Sequence, residues 1–296
     1  MRVDSHIHIF PDAAAADPKG FAEEHKETHW LKLVAPAGQA SIQGWANAEQ
    51  CLRDMDTAGI DIAVMQGWYW ENGNTCAQHN KLYAEILSKW PDRFRGFACF
   101  HPGLVKQDKM WIDSLVDQGF SGIGELLPVV QGYDFETVAF TDVLAQAERA
   151  GLWVNFHVTE PAGGKYPGHV ETPLQAFVDC ARAFPDLKII LSHLGGGLCF
   201  FSQNRSIRKY LRNVYYDTAA WPLIYAAEAT AQAIKLAGPQ VLYGTDYPLR
   251  TFPKRSLGAQ MTSNLNAFDA LPEIEADTLH SILNNGSQIR SPRPRS

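Results

Sequence analysis

The chain opens Met1-Arg-Val-Asp-Ser-His-Ile-His-Ile-Phe10 and continues into Pro11-Asp12. Residues 3–9 place Val3, Ile7 and Ile9 at odd positions and Asp4, His6 and His8 at even ones, so they read as a strand that begins almost at the first residue. An open, doubly wound α/β sheet usually carries a glycine-rich phosphate loop directly after its first strand. Phe10-Pro11-Asp12 is no such loop, and the later Leu194-Gly-Gly-Gly197 lacks dinucleotide spacing. The opening therefore points away from the open sheet. It also carries His6 and His8, two residues apart. Side chains in a strand alternate, so both imidazoles share one face. Two neutral imidazoles on one face are half a metal site; the bland alternative is a solvent-facing pair on an edge strand.

Working outward, further short apolar runs at 62–66, 94–100, 122–126, 153–158, 188–193, 214–217 and 241–244 read as strands. Amphipathic stretches at 48–58, 76–90, 106–118, 136–150, 173–184 and 223–237 read as helices between them. The short, basic stretch 202–211 is the weakest helix of the set. Gly59, Gly119, Gly151 and Gly238 fall just past helices, where a left-handed residue ends the turn. Eight strands alternating with helices in 296 residues predict an α/β fold of one domain, a (β/α)₈ TIM barrel over residues 1–290. Residues 291–296, rich in arginine and proline, are expected to be a disordered tail. Long connections at 11–47, 127–135 and 159–172 all leave the C-terminal ends of strands, the face where barrel enzymes place their sites.

Composition narrows the function. A hydrophobic share of 46% and a charged share of 20% are those of a water-soluble globular chain. The net charge of −6 argues against a nucleic-acid partner, which calls for a basic face. No apolar run approaches the ~18 residues of a membrane span, and the N-terminus lacks the basic and apolar regions of a signal peptide. Five scattered cysteines without a Cys-x-x-Cys pair suggest free thiols, hence a cytoplasmic location. The expected partner is a small-molecule substrate, and a homo-oligomer is compatible with the sequence.

Polar residues recur at or just past the strand C-termini. His6 and His8 lie in the first strand, Glu125 near the end of the fourth, His157 in the fifth and His193 at the end of the sixth; Asp246 follows the eighth. A closed parallel barrel brings those ends to one mouth. A donor set of nitrogen with one or two carboxylates suits Zn²⁺ best, with Mn²⁺, Fe²⁺ or Co²⁺ as alternatives. Asp246 would bind metal, carry a proton, or both, and His193 would be a ligand or a base beside the metal. Each residue also has a plain structural reading: a histidine bonded to a loop carbonyl, Asp246 as a turn residue before Tyr247-Pro248, Glu125 as an ion-pair partner of Arg95. Trp30, Trp68 and other tryptophans near strand ends would stack on a flat substrate or simply pack. Arg250 would pair a substrate carboxylate. His101 and His169 are further candidate substrate contacts.

With these residues in view, the chain resembles the amidohydrolase superfamily, in particular the amidohydrolase-related branch that includes aminocarboxymuconate-semialdehyde decarboxylase. The resemblance runs from Val3-Asp-Ser-His-Ile-His8 through Pro91-Asp-Arg-Phe-Arg-Gly-Phe97, Gly122-Ile-Gly-Glu125, Leu191-Ser-His-Leu-Gly-Gly-Gly197 and Tyr243-Gly-Thr-Asp-Tyr-Pro248 to Ile282-Leu-Asn-Asn-Gly-Ser-Gln-Ile-Arg290. It implies that His6, His8, His157 and Asp246 are metal ligands. It further implies that His193 holds metal or a catalytic water, and that Glu125 is an added strand-4 acid. No lysine ends the fourth strand, which departs from the lysine-bridged two-metal pattern of many relatives. The resemblance implies a hydrolase acting on a small lactone, ester or amide through metal-activated water. The alternative is a metal-dependent, non-oxidative decarboxylase of an aromatic or unsaturated carboxylate. A non-catalytic metal-binding barrel fits least, because a structural zinc is usually closed and cysteine-rich.

Overall fold

A computed structural model of the protein describes residues 1–108, 110–251 and 261–292. Eight strands form one sheet in sequence order: β1 (Val3–Ile7), β2 (Ile62–Met65), β3 (Phe94–Ala98), β4 (Gly122–Leu126), β5 (Trp153–Phe156), β6 (Ile189–Leu191), β7 (Val214–Asp217) and β8 (Val241–Leu242). Every ladder between consecutive strands is parallel. The sheet returns on itself through the residues after β8. Ser5 N–H donates to Tyr243 O (2.7 Å), Asp246 N–H to His6 O (2.9 Å) and His8 N–H to Tyr247 O (2.6 Å). The fold is the single-domain TIM barrel that the sequence predicts. All but β4 and β7 end before their expected runs, whose C-terminal residues leave the ladder to build the mouth.

Three apolar groups hold the barrel. Its interior packs Val3, Ile62, Val64, Phe97, Trp153, Ile190 and Leu242, together with Ile289 from the chain's end. The sheet and the surrounding helices share a much larger layer that includes Met55, Tyr83, Phe140, Phe177 and Phe268. A third, aromatic group lies on the mouth side: Phe10, Trp30, Trp68, Tyr69 and Trp70. All five cysteines are buried and free. No helix among the described residues is long and apolar enough to cross a membrane.

The helices at Ala48–Ala58 and Val138–Ala150 end where expected, on Gly59 and Gly151 with φ of +68° and +76°. Asn47 caps the first of these by accepting the Gln50 N–H at 2.9 Å. Asn47→Ala should lower unfolding free energy by about 1 kcal/mol, read from urea denaturation. Elsewhere the structure corrects the sequence reading. The helix expected at 106–118 is two helices, Pro102–Gln107 and Trp111–Asp117, separated where the Asp108 carboxylate accepts the Met110 N–H. The helix expected at 202–211 is a 3₁₀ segment, Leu198–Gln203, followed by turns. Arg205, Arg208, Lys209 and Arg212 would stack like charges at helical spacing, which opposes a regular helix. Of the tail expected at 291–296, residues 293–296 lie outside the described residues; the Ser291 hydroxyl is bonded to Ser121 Oγ and Gly119 O.

The first long connection folds into three short helices, Asp12–Ala16, Pro18–His25 and Thr28–Val34. Two glutamates fasten it to the segment after β2. The Glu27 carboxylate accepts the Glu71 and Asn72 N–H groups (2.6 and 3.2 Å) before the helix Gly73–Lys89. The Glu71 carboxylate in turn accepts the Thr28 hydroxyl and the His29 N–H, both at 2.6 Å, at the start of Thr28–Val34. Each acid thus satisfies free amides at the other's helix start, where the helix dipole also favours negative charge.

Candidate active site

The barrel gathers the candidate ligands at its C-terminal end. His6 Nε2 and His8 Nε2 stand 3.1 Å apart, as the period of the strand requires. Asp246 Oδ1 lies 3.4 Å from His8 Nε2 and 3.9 Å from His6 Nε2. Glu125 bridges the two sides of the mouth. Its Oε2 is 3.9 Å from His6 Nε2, and its Oε1 is 3.1 Å from His157 Nδ1 and 3.7 Å from His193 Nε2. His193 Nε2 and His157 Nδ1 are 3.3 Å apart.

The backbone is bent to achieve this. His193, Leu194, Ala220 and Asp246 have left-handed φ between +54° and +64°. Such a residue costs on the order of 1–3 kcal/mol, which the surrounding fold must supply. Glu125 is set by a close approach between β2 and β4: Gly67 N–H bonds Gly124 O, and Glu125 N–H bonds Gly67 O. A Cβ on Gly67 would fall 2.6 Å from Cys99 N and 2.8 Å from Gly124 O, so only glycine fits there.

Hydrogen bonds around the cluster decide which nitrogens face it. His6 Nδ1 pairs with Asp217 Oδ2 at 2.9 Å, His8 Nδ1 donates to Gln66 O at 2.9 Å, and His193 Nδ1 donates to Ala219 O at 2.9 Å. An oxygen engages each Nδ1, which turns each Nε2 inward, where it can carry a proton toward the carboxylates or offer its lone pair to a metal ion. Two such nitrogens 3.1 Å apart need a proton or a metal ion between them. Two nitrogens about 2.1 Å from a common tetrahedral ion would be roughly 3.4 Å apart, close to the spacing seen here. Asp217, Glu125 and Asp246 add buried negative charge, which is costly without a counter-charge. Burial alone would make His6 harder to protonate, but these three carboxylates outweigh it and raise its pKa to about 10. For Glu125, burial opposes ionisation and the histidines, His157 foremost, outweigh it, so its pKa falls. For Asp246, burial is again outweighed, by the bond from His8 and the nearby rings. The donor set thus fits a divalent cation: His6, His8 and Glu125 on one side, and Glu125, His157 and His193 on the other.

The other sequence candidates fall in different settings. Trp68 packs edge-on to His8 (5.1 Å between centroids) and stacks on Tyr69 (4.3 Å). Trp30 is buried within the aromatic group. His101 is a helix cap, its Nδ1 accepting the Gly103 N–H at 3.1 Å. Arg250 braces two loops by donating to the carbonyls of Ser41 and Ile42. His169 lies against Tyr166, 5.2 Å between rings, and donates its N–H to Tyr166 O. Arg95 is bonded to Pro91 O and Phe94 O, so Glu125 has histidine partners instead. Sequence reasoning missed Asp217, which also accepts the His193 and Ala219 N–H groups at 3.0 Å each. Its place at the end of Val214-Tyr-Tyr-Asp217 was the available signal.

A closed parallel barrel with imidazoles and carboxylates converging at its C-terminal mouth defines a metal-centred barrel enzyme. The family model for amidohydrolase matches residues 3–284, and the chain belongs to the amidohydrolase family of metal-dependent enzymes. No protein among the curated ones matches the chain. Solved structures match it at low identity. One is 5-carboxyvanillate decarboxylase from Sphingomonas paucimobilis, with TM-score 0.71 and 17% identity, covering 98% of this chain and 99% of that one. Another is a dihydroxybenzoic acid decarboxylase from a Polaromonas species, solved with manganese and the inhibitor 2-nitroresorcinol, with TM-score 0.65, 18% identity and coverage of 97% and 95%. A third is 4-oxalomesaconate hydratase from Rhodopseudomonas palustris, with TM-score 0.65, 18% identity and coverage of 98% and 95%.

Proposed function

We propose that the protein is a metal-dependent, non-oxidative decarboxylase of a small aromatic or unsaturated carboxylate. The observation that carries this reading is the aromatic flank of the ligand cluster. The Trp68–Tyr69 stack touches His8 on one side and His157 on the other, with centroid distances of 5.1 and 5.3 Å, which suits a flat substrate. Likeness to solved decarboxylases supports it. The hydrolytic reading has the family's description behind it but no structural feature that favours it over decarboxylation.

His6, His8, His157 and Asp246 would hold the ion, with Glu125 as a further oxygen ligand and His193 beside it. A bound divalent ion would supply Lewis-acid stabilisation of the substrate's anionic oxygens. The chain's own task is to move one proton. Loss of CO₂ breaks a carbon–carbon bond, and its electron pair must be capped by a proton at that carbon. Asp246, kept ionised by its neighbours, would first take up a proton given up by an acidic hydroxyl of the bound substrate or by water, and would then deliver that proton to the carbon as CO₂ leaves. His193, fixed by Ala219 O, would orient the substrate or share the proton.

Protein prepared without chelator should hold about one divalent transition metal per chain by elemental analysis. The donor set takes Zn²⁺, and manganese in the dihydroxybenzoic acid decarboxylase makes Mn²⁺ the first ion to test. Metal removal should abolish activity and either ion should restore it. Release of CO₂ should be assayed on hydroxylated benzoates and unsaturated carboxylates, alongside hydrolysis of lactones, esters and amides. Hydrolysis without CO₂ release would replace this reading, and full activity in metal-free protein would overturn it.

A further inference from the structure

Next to the ligand cluster, two neighbouring side chains on the helix Thr28–Val34 have buried polar atoms with no hydrogen-bond partner among the described residues. His29 is only 6% exposed. Its Nε2 donates to Gly168 O at 2.7 Å, and its Nδ1 has no hydrogen-bond partner. The Tyr69 ring touches both His29 (5.6 Å) and the candidate ligand His157 (5.3 Å). Trp30 is 1% exposed, and its Nε1–H is also buried without a partner. Its indole packs on Trp68 (5.0 Å) and Phe10 (4.8 Å), and both of those rings touch His8. His29 and Trp30 therefore each stand one ring away from a ligand histidine. A buried donor or acceptor left unpaired costs about 1–3 kcal/mol, and native chains rarely leave such atoms idle.

Each atom has a definite polarity. Because His29 Nε2 keeps its proton for Gly168 O, Nδ1 is an acceptor only. Burial lowers the His29 pKa, so the neutral ring is the resident form. Trp30 Nε1 is a donor only. The geometry points to a specificity site: His29 Nδ1 accepts a hydrogen bond from a neutral, proton-donating substituent on the substrate, of which a phenolic hydroxyl is the simplest, while Trp30 Nε1–H donates to an oxygen of the same molecule. This rests on the aromatic-carboxylate reading above. A methyl ether at that position offers Nδ1 no proton, and a second carboxylate would face its lone pair. The pair thus reads for hydroxyl against ether and against added negative charge.

The test uses the full-length, Mn²⁺-loaded protein and calorimetric Kd values for benzoate, the three hydroxybenzoates and the three methoxybenzoates. At least one hydroxybenzoate should bind about 10–100-fold more tightly than its methoxy counterpart, the factor that corresponds to one buried unpaired group. His29→Phe should bring that isomer to the methoxy level while the Kd of benzoate and the metal content stay unchanged. His29→Gln, with an amide donor for Gly168 O and a carbonyl acceptor, should recover part of the preference. Trp30→Phe keeps an aromatic ring but removes the donor along with part of the indole, and should weaken that isomer about tenfold relative to benzoate, the benzoate Kd reporting any effect of the lost volume. Equal binding of every hydroxy and methoxy pair, or a preference intact in His29→Phe, overturns the His29 assignment and leaves the aromatic-carboxylate reading standing. An unchanged Kd in Trp30→Phe overturns the Trp30 half. The wild-type comparison and Trp30→Phe decide the matter even where His29→Phe fails to fold. If the wild-type protein binds none of the benzoates, the aromatic-carboxylate reading falls and the proposal falls with it.

Discussion

Asp246→Asn should keep most of its metal and nearly all of its stability while kcat falls by roughly 10²–10⁴, the usual loss when a proton-transfer group is removed. The substitution preserves the shape of the side chain and an oxygen 3.4 Å from His8 Nε2, so the ligand cluster stays assembled. It removes the carboxylate's negative charge and its capacity to gain and lose a proton. The Asp246 backbone, with φ of +64°, suits Asn as well as Asp, since both tolerate the left-handed region. If Asp246 served only the turn before Pro248, the same variant would lose at most about 1 kcal/mol and keep its rate. Measuring kcat, metal content and melting temperature on one preparation separates the two. A wild-type kcat would remove Asp246 from the mechanism.

Asp217→Ala is expected to be the most damaging single change outside the candidate ligands. The carboxylate is fully buried and serves His6 Nδ1, His193 N–H and Ala219 N–H together. Its loss strands three donors and frees the His6 ring to turn. Breaking a buried pair of this kind costs about 3–5 kcal/mol. Loss of a partner that orients a metal-bound histidine typically lowers metal affinity about 10–100-fold. Denaturant titration of the metal-free protein reads the first effect, and competition with a chelator reads the second. Asp217→Asn should restore part of the stability but less of the affinity, because an amide is a poorer acceptor for the imidazole proton. Equal metal affinity in all three proteins would show that His6 needs no such partner.

The barrel was legible because its signals are local. Strand runs such as Trp153-Val-Asn-Phe156 and helix-ending glycines such as Gly59 carry their meaning within a few residues. The short β8, Val241–Leu242, is the start of the apolar run 241–244, of which only these two residues are strand. The gathering of His6, Glu125, His157, His193 and Asp246 followed from topology alone, since a closed parallel barrel sends every strand end to one mouth. What the sequence hid depends on partners distant in the chain. His101 looks like any strand-end histidine until Gly103 N–H is seen on its ring, and Arg250 looks free until it meets Ser41 and Ile42. Asp217 acquires its role through a residue 211 positions away. The split at Asp108 rests on one side chain bonding its own backbone two residues on, a competition that periodicity does not register.

The exchange of carboxylates between Glu27 and Glu71 bears on how this barrel can be re-engineered or can have diversified. The segment carrying His29 and Trp30 is not a cassette that can be lifted into another barrel by matching its two ends. Its own helix start is completed by an acid that belongs to the recipient, and it completes a helix start of the recipient in return. A graft of residues 11–47 alone would arrive with one terminus unsatisfied and leave its host with another. The transferable unit is discontinuous: the segment together with Glu71 and Asn72, whose side-chain amide also holds His25 O. Loop exchange, the common route to new specificity on this architecture, is here tied to a compensating change more than twenty residues downstream.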